Sequence, residues 1–247
     1  MNMKRTFPAI MLLLAAMTQT CASAQNKKED WAQFYRYGEA NAALIQAQHR
    51  PRAVFMGDSI TDHWGKFDGG FFESNDFACR GISGQTTSEM LVRFRRDVLE
   101  LHPRVAVIMA GTNDIARNNG AITLENALGN IASMCELARQ HGIEPVLCTI
   151  LPSVQFKWRP EVEPAGIIVR FNDMLREYAR QNGIRFADYY SAIADERGGL
   201  PDKWANDSTH PNRACYVEVM EPIILDVLGH TAAAKGERKQ RREKRRQ

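Results

Sequence analysis

Five short apolar runs, separated by longer segments of helical periodicity, constrain this chain more than any other feature. Ala53–Met56 stops at Gly57, and Val105–Ala110 (VAVIMA) stops at Gly111. Pro145–Ile150 and Ile184–Ala187 have the same character, and Phe77–Cys79 is a weaker member. Such runs, short and without alternation, read as strands buried on both faces. Between and around them, apolar residues recur at three-to-four spacing near 30–48, 89–101, 123–140, 165–181 and 211–228. Asp30 is placed to cap the first of these helices, Gly142 to close the third, and Pro211 to sit in the first turn of the last. Strands separated by helices make a parallel sheet covered on both sides. The expectation is therefore an α/β fold, a three-layer α/β/α domain with a parallel sheet of about five strands. It spans 53–230, with 25–52 as an N-terminal helix packed upon it.

The chain has 247 residues, enough for one large domain with a buried core. Its formal charge of +3 is unevenly spread. Residues 235–247 hold eight Lys/Arg and two acids, so the interval 25–234 carries a net charge of −5. A nucleic-acid binder needs a basic folded part, so nucleic acid is not expected as a partner. The tail 231–247 has no apolar periodicity and reads as a solvated, disordered end, with weak contact to anionic surfaces as its one expected role.

At the other end, Lys4 and Arg5 precede an apolar run of 11 residues, Phe7–Met17. That run is too short to span a bilayer, which takes about 20 residues. Ala22-Ser23-Ala24 supplies the small residues at which a leader is cut, so 1–24 reads as a signal peptide and the protein as exported, to the periplasm or beyond. A lipoprotein reading would acylate Cys21, but Thr18-Gln19-Thr20 matches the residues before such a cysteine poorly. Of the remaining cysteines, Cys148 lies in an apolar run and Cys135 on an amphipathic helix. With Cys79 and Cys215 they could form two bridges in any of three pairings, but buried free thiols are the expected state. No CxxC or HExxH pattern is present, so no metal site is expected.

In open parallel sheets the ligand site lies beyond the carboxyl ends of the strands. Gly57-Asp58-Ser59-Ile60-Thr61 follows the first strand there and lifts a serine hydroxyl to the top of the sheet. A serine is a weak nucleophile until a base takes its proton. Gly81-Ile82-Ser83-Gly84-Gln85-Thr86 brings backbone amides to the same edge, and Gly111-Thr112-Asn113-Asp114 a side-chain amide. Near the C-terminus Asp207-Ser208-Thr209-His210 puts a carboxylate three residues before an imidazole, so that Asp207 can orient His210. Together these supply a nucleophile, a base, its orienting group and oxyanion donors, which is what acyl transfer requires.

Gly57-Asp58-Ser59, Gly84, Gly111 with Asn113-Asp114, and Asp207 with His210 resemble the four blocks of the SGNH hydrolases, the GDSL lipase/acylhydrolase superfamily. The MGDSIT and GTND forms resemble the branch of the platelet-activating-factor acetylhydrolase catalytic subunits and secreted bacterial carbohydrate esterases. The resemblance covers Ala53 to Leu228. It implies a flavodoxin-like fold, no cofactor, and a catalytic set of Ser59 as nucleophile, His210 as base and Asp207 as its orienting carboxylate. The Ser59 N–H, Gly84 N–H and Asn113 amide would form the oxyanion hole.

Asp58 and Asp114 are expected to stabilise their turns, and Ser83 has its second glycine one place early for a nucleophile motif. His49, His63, His102, His141 and His230 lack a carboxylate at comparable spacing and read as surface or helix-end residues. Phe156, Trp158 and Arg159, in the loop 151–164, are expected to overhang the site. Trp64, Phe67, Phe71 and Phe72 fit either a sugar-stacking surface or a hydrophobic plug. The reaction expected is removal of a short acyl group, acetyl above all, from a carbohydrate or other polar small-molecule ester. The alternatives are a lysophospholipase, thioesterase or arylesterase on the same triad, and a non-catalytic carbohydrate-binding relative.

Overall fold

A computed structural model describes residues 30–229. The expected leader 1–24 and basic tail 231–247 lie outside the described residues, as does His230.

Five strands, β1 (Ala53–Gly57), β2 (Phe77–Gly81), β3 (Val105–Met109), β4 (Glu144–Cys148) and β5 (Arg185–Ala187), pair in parallel in the order β2-β1-β3-β4-β5. This is the doubly wound order in which the chain reverses direction between β1 and β3. The register sets Gly57 opposite both Gly81 and Met109, so the loops leaving β1, β2 and β3 emerge side by side.

The inner strands β1 and β3 are buried on both faces because alternate side chains feed two cores. Val54, Met56, Ala106 and Ile108 join Phe94, Ile131 and Phe171 on one side. Ala53, Phe55, Val105 and Val107 join Trp64, Phe72 and Tyr216 on the other. Trp64, Phe71 and Phe72 are therefore a hydrophobic plug packed around Phe55, not a sugar-stacking surface; Trp64 stacks on both Phe71 and Tyr216. All four described cysteines are free, and three of them are buried.

The first core is covered by α1 (Tyr35–Gln46), α4 (Thr87–Asp97), α6 (Leu124–Gln140) and α7 (Pro164–Gln181). The second is covered by α2 (Ser59–Phe67), α3 (Gly69–Ser74), α8 (Tyr189–Ile193) and a C-terminal helical run. A short α5 (Thr112–Ile115) follows β3. Gly81 allows α2 to lie across the strand ends: a Cβ there would stand 2.2 Å from Asp62 N and 2.6 Å from Thr61 C, both backbone atoms.

Several boundaries differ from expectation for identifiable reasons. The first helix begins at Tyr35 rather than Asp30, because the Asp30 carboxylate accepts the Tyr35 N–H (2.9 Å) and closes a turn ahead of it. Helix α4 begins at Thr87, where Thr86 and Glu89 form a reciprocal capping box, and gives way after Asp97 to a 3-10 turn at Leu99–Leu101. Strand β4 ends at Cys148 because the Asn172 amide takes over both backbone groups of Ile150 (2.9 and 3.0 Å). The last helix does not start at Pro211. Asn212 caps it by accepting the Cys215 N–H (3.0 Å), and Pro211 instead bridges to Ala205. That run passes from α9 (Arg213–Cys215) through a π-helical turn at Tyr216–Met220 into α10 (Glu221–Val227). The wide turn precedes Pro222, whose missing N–H and ring a regular turn would not accommodate.

Candidate active site

Ser59 opens α2 directly after β1. The Asp58 carboxylate caps that helix by accepting the Ile60 N–H (2.9 Å), so the tight GDS turn is held by its own side chain. Across 151 positions of sequence, His210 Nε2 stands 2.9 Å from Ser59 Oγ. Asp207 reaches His210 Nδ1 with both carboxylate oxygens, at 2.9 and 3.1 Å. The carboxylate acceptors fix the proton on Nδ1 and leave Nε2 free to accept from the serine hydroxyl.

Asp207 Oδ1 also accepts the backbone N–H groups of Thr209 and His210, both at 2.8 Å. Burial would push this carboxyl up, but the His210 backbone and ring and the Thr209 N–H outweigh it and hold Asp207 below the ordinary carboxylate range. The turn itself is fastened to the loop after β4: the Ser153 hydroxyl donates to Ser208 C=O (2.9 Å), and Thr209 lies buried beside it. On the other flank the Tyr216 hydroxyl donates to Ile60 C=O (2.7 Å), tying the C-terminal helical run to the first turn of α2.

Ser59 and His210 line a pocket of about 300 Å³ together with His63, Ser83, Gly84, Asn113, Asn118 and Trp158. Gly84 adopts a φ of +83°, a left-handed backbone in which a side chain would be strained although nothing would obstruct a Cβ there. Among the described residues, the N–H groups of Ser59 and Gly84 have no hydrogen-bond acceptor. Asn113 Nδ2 donates to Gln85 C=O (3.1 Å) and makes only a long contact, 3.4 Å, to Asp58 Oδ2. The hydrogen directed at Asp58 is the more weakly held of the two and is the one a ligand oxygen would take. The four motif blocks, far apart in sequence, meet at this pocket.

Burial pushes both Asp58 and Asp114 up to about 6. Asp114 does more than stabilise its own turn: it accepts from the Thr87 N–H (2.9 Å) and hydroxyl (2.6 Å), joining the β3 loop to the start of α4. Behind the site lies Arg93, wholly buried. It donates to Gln85 Oε1, to Arg80 C=O (2.9 Å), to Gly57 C=O (3.0 Å) and to Asp97 (2.9 Å). One guanidinium so connects the ends of β1 and β2 with the loop that carries Gln85.

Two residues at the pocket were not expected. His63 stands one helical turn after Ser59, and its ring lies 5.0 Å from that of His210, centroid to centroid. Burial first, and the neighbouring imidazole second, push His63 below the ordinary histidine range. The i, i+4 spacing from Ser59 is the sequence signal that would have placed it there. His49 is, as expected, an exposed residue just past the end of α1, and the carboxylate it meets, Asp76 at 2.7 Å, comes from 27 positions away. Asn118 is the other: its amide touches Asn113, Gly84 and Trp158. Trp158 does overhang the pocket, with its ring 6.2 Å from His210 and stacked on the buried Phe156, and Ser83 is held by Asp62 (2.7 Å).

A serine, an imidazole and a carboxylate in hydrogen-bonded sequence at the carboxyl edge of a doubly wound sheet are the parts of a serine hydrolase. A model of the GDSL-like Lipase/Acylhydrolase family matches residues 55–217, and the chain belongs to that family. It is accordingly a carboxylic ester hydrolase with the SGNH fold.

The crystal structure of a GDSL-like lipase from Bacteroides thetaiotaomicron VPI-5482 is similar, with 40% identity, a TM-score of 0.77, and coverage of 82% of this chain and 100% of that one. An acetylxylan esterase from Geobacillus stearothermophilus shares the fold at 18% identity and a TM-score of 0.59, over 72% of this chain and 94% of that one. An uncharacterized lipoprotein of Bacillus subtilis (strain 168), YqeF, is 28% identical over 142 residues. The match takes in 50% of this chain and 58% of that protein's length.

Proposed function

We propose that the protein is an exported serine esterase that removes short acyl groups, acetyl above all, from a carbohydrate or other polar alcohol. The observation that carries this reading is the Ser59–His210–Asp207 chain of hydrogen bonds opening into a small pocket that Asn113, Asn118 and Trp158 also line. Ser59 attacks the ester carbonyl while His210 takes its proton, and Asp207 holds the imidazole in the required tautomer and offsets its developing charge. The N–H groups of Ser59 and Gly84 and the amide of Asn113 receive the oxyanion. Losing one such donor typically costs about a hundred- to a thousandfold in rate. His210 then protonates the departing alcohol, and water repeats the sequence on the acyl-enzyme.

A pocket of about 300 Å³ bordered by Trp158 and Asn118 suits a small acyl group better than a long chain. An acetylxylan esterase is built on the same fold, so this scaffold can present a polysaccharide acetyl ester to a serine. Export is supported by the leader pattern of residues 1–24 and by a relative named as a lipoprotein.

The test is hydrolysis of p-nitrophenyl acetate, butyrate and octanoate by the wild type and by Ser59→Ala. The reading predicts a kcat/KM that falls with chain length and vanishes in the variant. A preference for octanoate would exclude the short-acyl assignment, and full activity in Ser59→Ala would exclude the nucleophile.

A further inference from the structure

The Asn113 amide can serve an oxyanion only if its nitrogen faces the pocket, since its oxygen would repel the charge. A side-chain amide is nearly symmetric in shape, so something must decide between its two orientations. Asn118, in the turn after α5, bears directly on that choice. Its Nδ2 donates to Asn113 Oδ1 (2.7 Å) and to Gly84 C=O (3.3 Å), and its Oδ1 accepts the Trp158 indole N–H (2.8 Å). An indole nitrogen can only donate. The Trp158 N–H therefore demands the oxygen of Asn118, which turns the Asn118 nitrogen toward Asn113. That in turn demands the oxygen of Asn113, and the Asn113 nitrogen is left facing Gln85 C=O (3.1 Å), Asp58 Oδ2 (3.4 Å) and the pocket.

We infer that Asn118 is a positioning residue that orients the Asn113 amide and the Gly84 peptide, with the Trp158 indole fixing the polarity of the relay. The same indole roofs the pocket beside His210. The residue that shapes the entrance is thus also the one that sets the direction of the donors inside it. This inference rests on Asn113 and Gly84 being oxyanion donors, so the experiment tests that premise separately.

Four variants are compared on p-nitrophenyl acetate from pH 5 to 8, with their melting temperatures: Asn113→Ala, Asn118→Ala, Asn118→Asp and Trp158→Phe. Asn118→Asp is isosteric, and its carboxylate can still accept from Trp158. It cannot donate to Asn113 Oδ1 or Gly84 C=O, and it sets an acceptor against each. Its kcat should fall about a hundredfold, the typical effect of losing an oxyanion donor. KM should stay within about threefold, because the interaction matters mainly in the transition state.

As pH falls the carboxyl regains a proton that it can donate, so the ratio of its kcat to that of the wild type should rise toward pH 5. Asn118→Ala should lose less, about tenfold, because Gln85 still holds one hydrogen of Asn113. Trp158→Phe keeps an aromatic ring but removes the donor, and should fall between wild type and Asn118→Ala. Equal losses in Asn118→Asp and Asn118→Ala with a pH-independent ratio, or losses that track the melting temperature, would overturn the inference. If Asn113→Ala loses activity while both Asn118 variants match the wild type, the relay fails and the oxyanion assignment stands. If Asn113→Ala is itself unimpaired, the premise fails, and the relay with it.

Discussion

Replacing Arg93 with methionine should destabilise the domain by about 3–5 kcal/mol, the typical result of removing one partner of a buried ion pair. Four acceptors lose a donor, but they do not lose equally. Gly57 C=O keeps the Ile82 N–H (3.0 Å), and Asp97 keeps the Asn41 amide (2.7 Å). Methionine fills most of the volume, so a cavity contributes little. The dominant cost is the Asp97 carboxylate, 2% exposed and now without its hydrogen-bonded counter-charge, with only the more distant Arg80 to offset it.

For a domain of this size each kcal/mol moves the melting temperature by about 2–4 °C, so the expected drop is about 6–20 °C. Urea titration supplies the free energy independently, and Arg93→Met/Asp97→Leu completes the argument. Removing both charges should recover at least half of the loss, because an apolar pair of similar volume is often no worse than a buried ion pair. A single variant that melts within about 3 °C of wild type, or a double variant less stable than the single one, would refute the reasoning.

Other outcomes follow from the same geometry. Gly81→Ala sets a Cβ 2.2 Å from Asp62 N. The variant should lose stability at the upper end of the usual 1–3 kcal/mol for overpacking, together with activity as α2 and Ser59 shift; an unchanged kcat/KM would show that α2 is not seated by this contact. Asp58, at about 6 when folded, holds a proton that the unfolded chain releases between about pH 4 and 6, so stability falls as pH rises through that window and levels off above it. Asp58→Asn can still cap α2. Its stability relative to wild type should therefore improve by about 2–3 kcal/mol from pH 4 to 7, and parallel curves in thermal melts would contradict this. Asp207, held below the ordinary carboxylate range, stays ionised from pH 5 to 8, so Asp207→Asn should lower kcat by about a thousandfold or more at every pH in that interval. A loss confined to the acid side would disagree.

The strands and the four motif blocks were legible in the sequence because their signals are local. β1 and β3 are apolar on both faces, Ser59, Gly84 and Asn113 sit just past strand ends, and Asp207 and His210 share one turn three residues apart. What the sequence did not show depends on partners distant along the chain. Asp30 reads as a cap but closes the preceding turn, and Pro211 reads as a helix start until Asn212 takes the cap. Trp64, Phe71 and Phe72 could be assigned to core rather than surface only once Phe55 and Tyr216 were known to enclose them. His63 carried a usable signal in its spacing from Ser59. Asn118 carried none, because its role depends on Trp158, forty positions further on.

The most direct test of the central claim is to trap the acyl-enzyme. Wild type and Ser59→Ala are mixed with p-nitrophenyl acetate, quenched in acid within the first turnover, digested and mapped by mass spectrometry. The account predicts one acetyl group on the peptide that carries Ser59, absent from the variant. An acetyl group on any other residue, or turnover with no covalent species on Ser59 at any quench time, would contradict it.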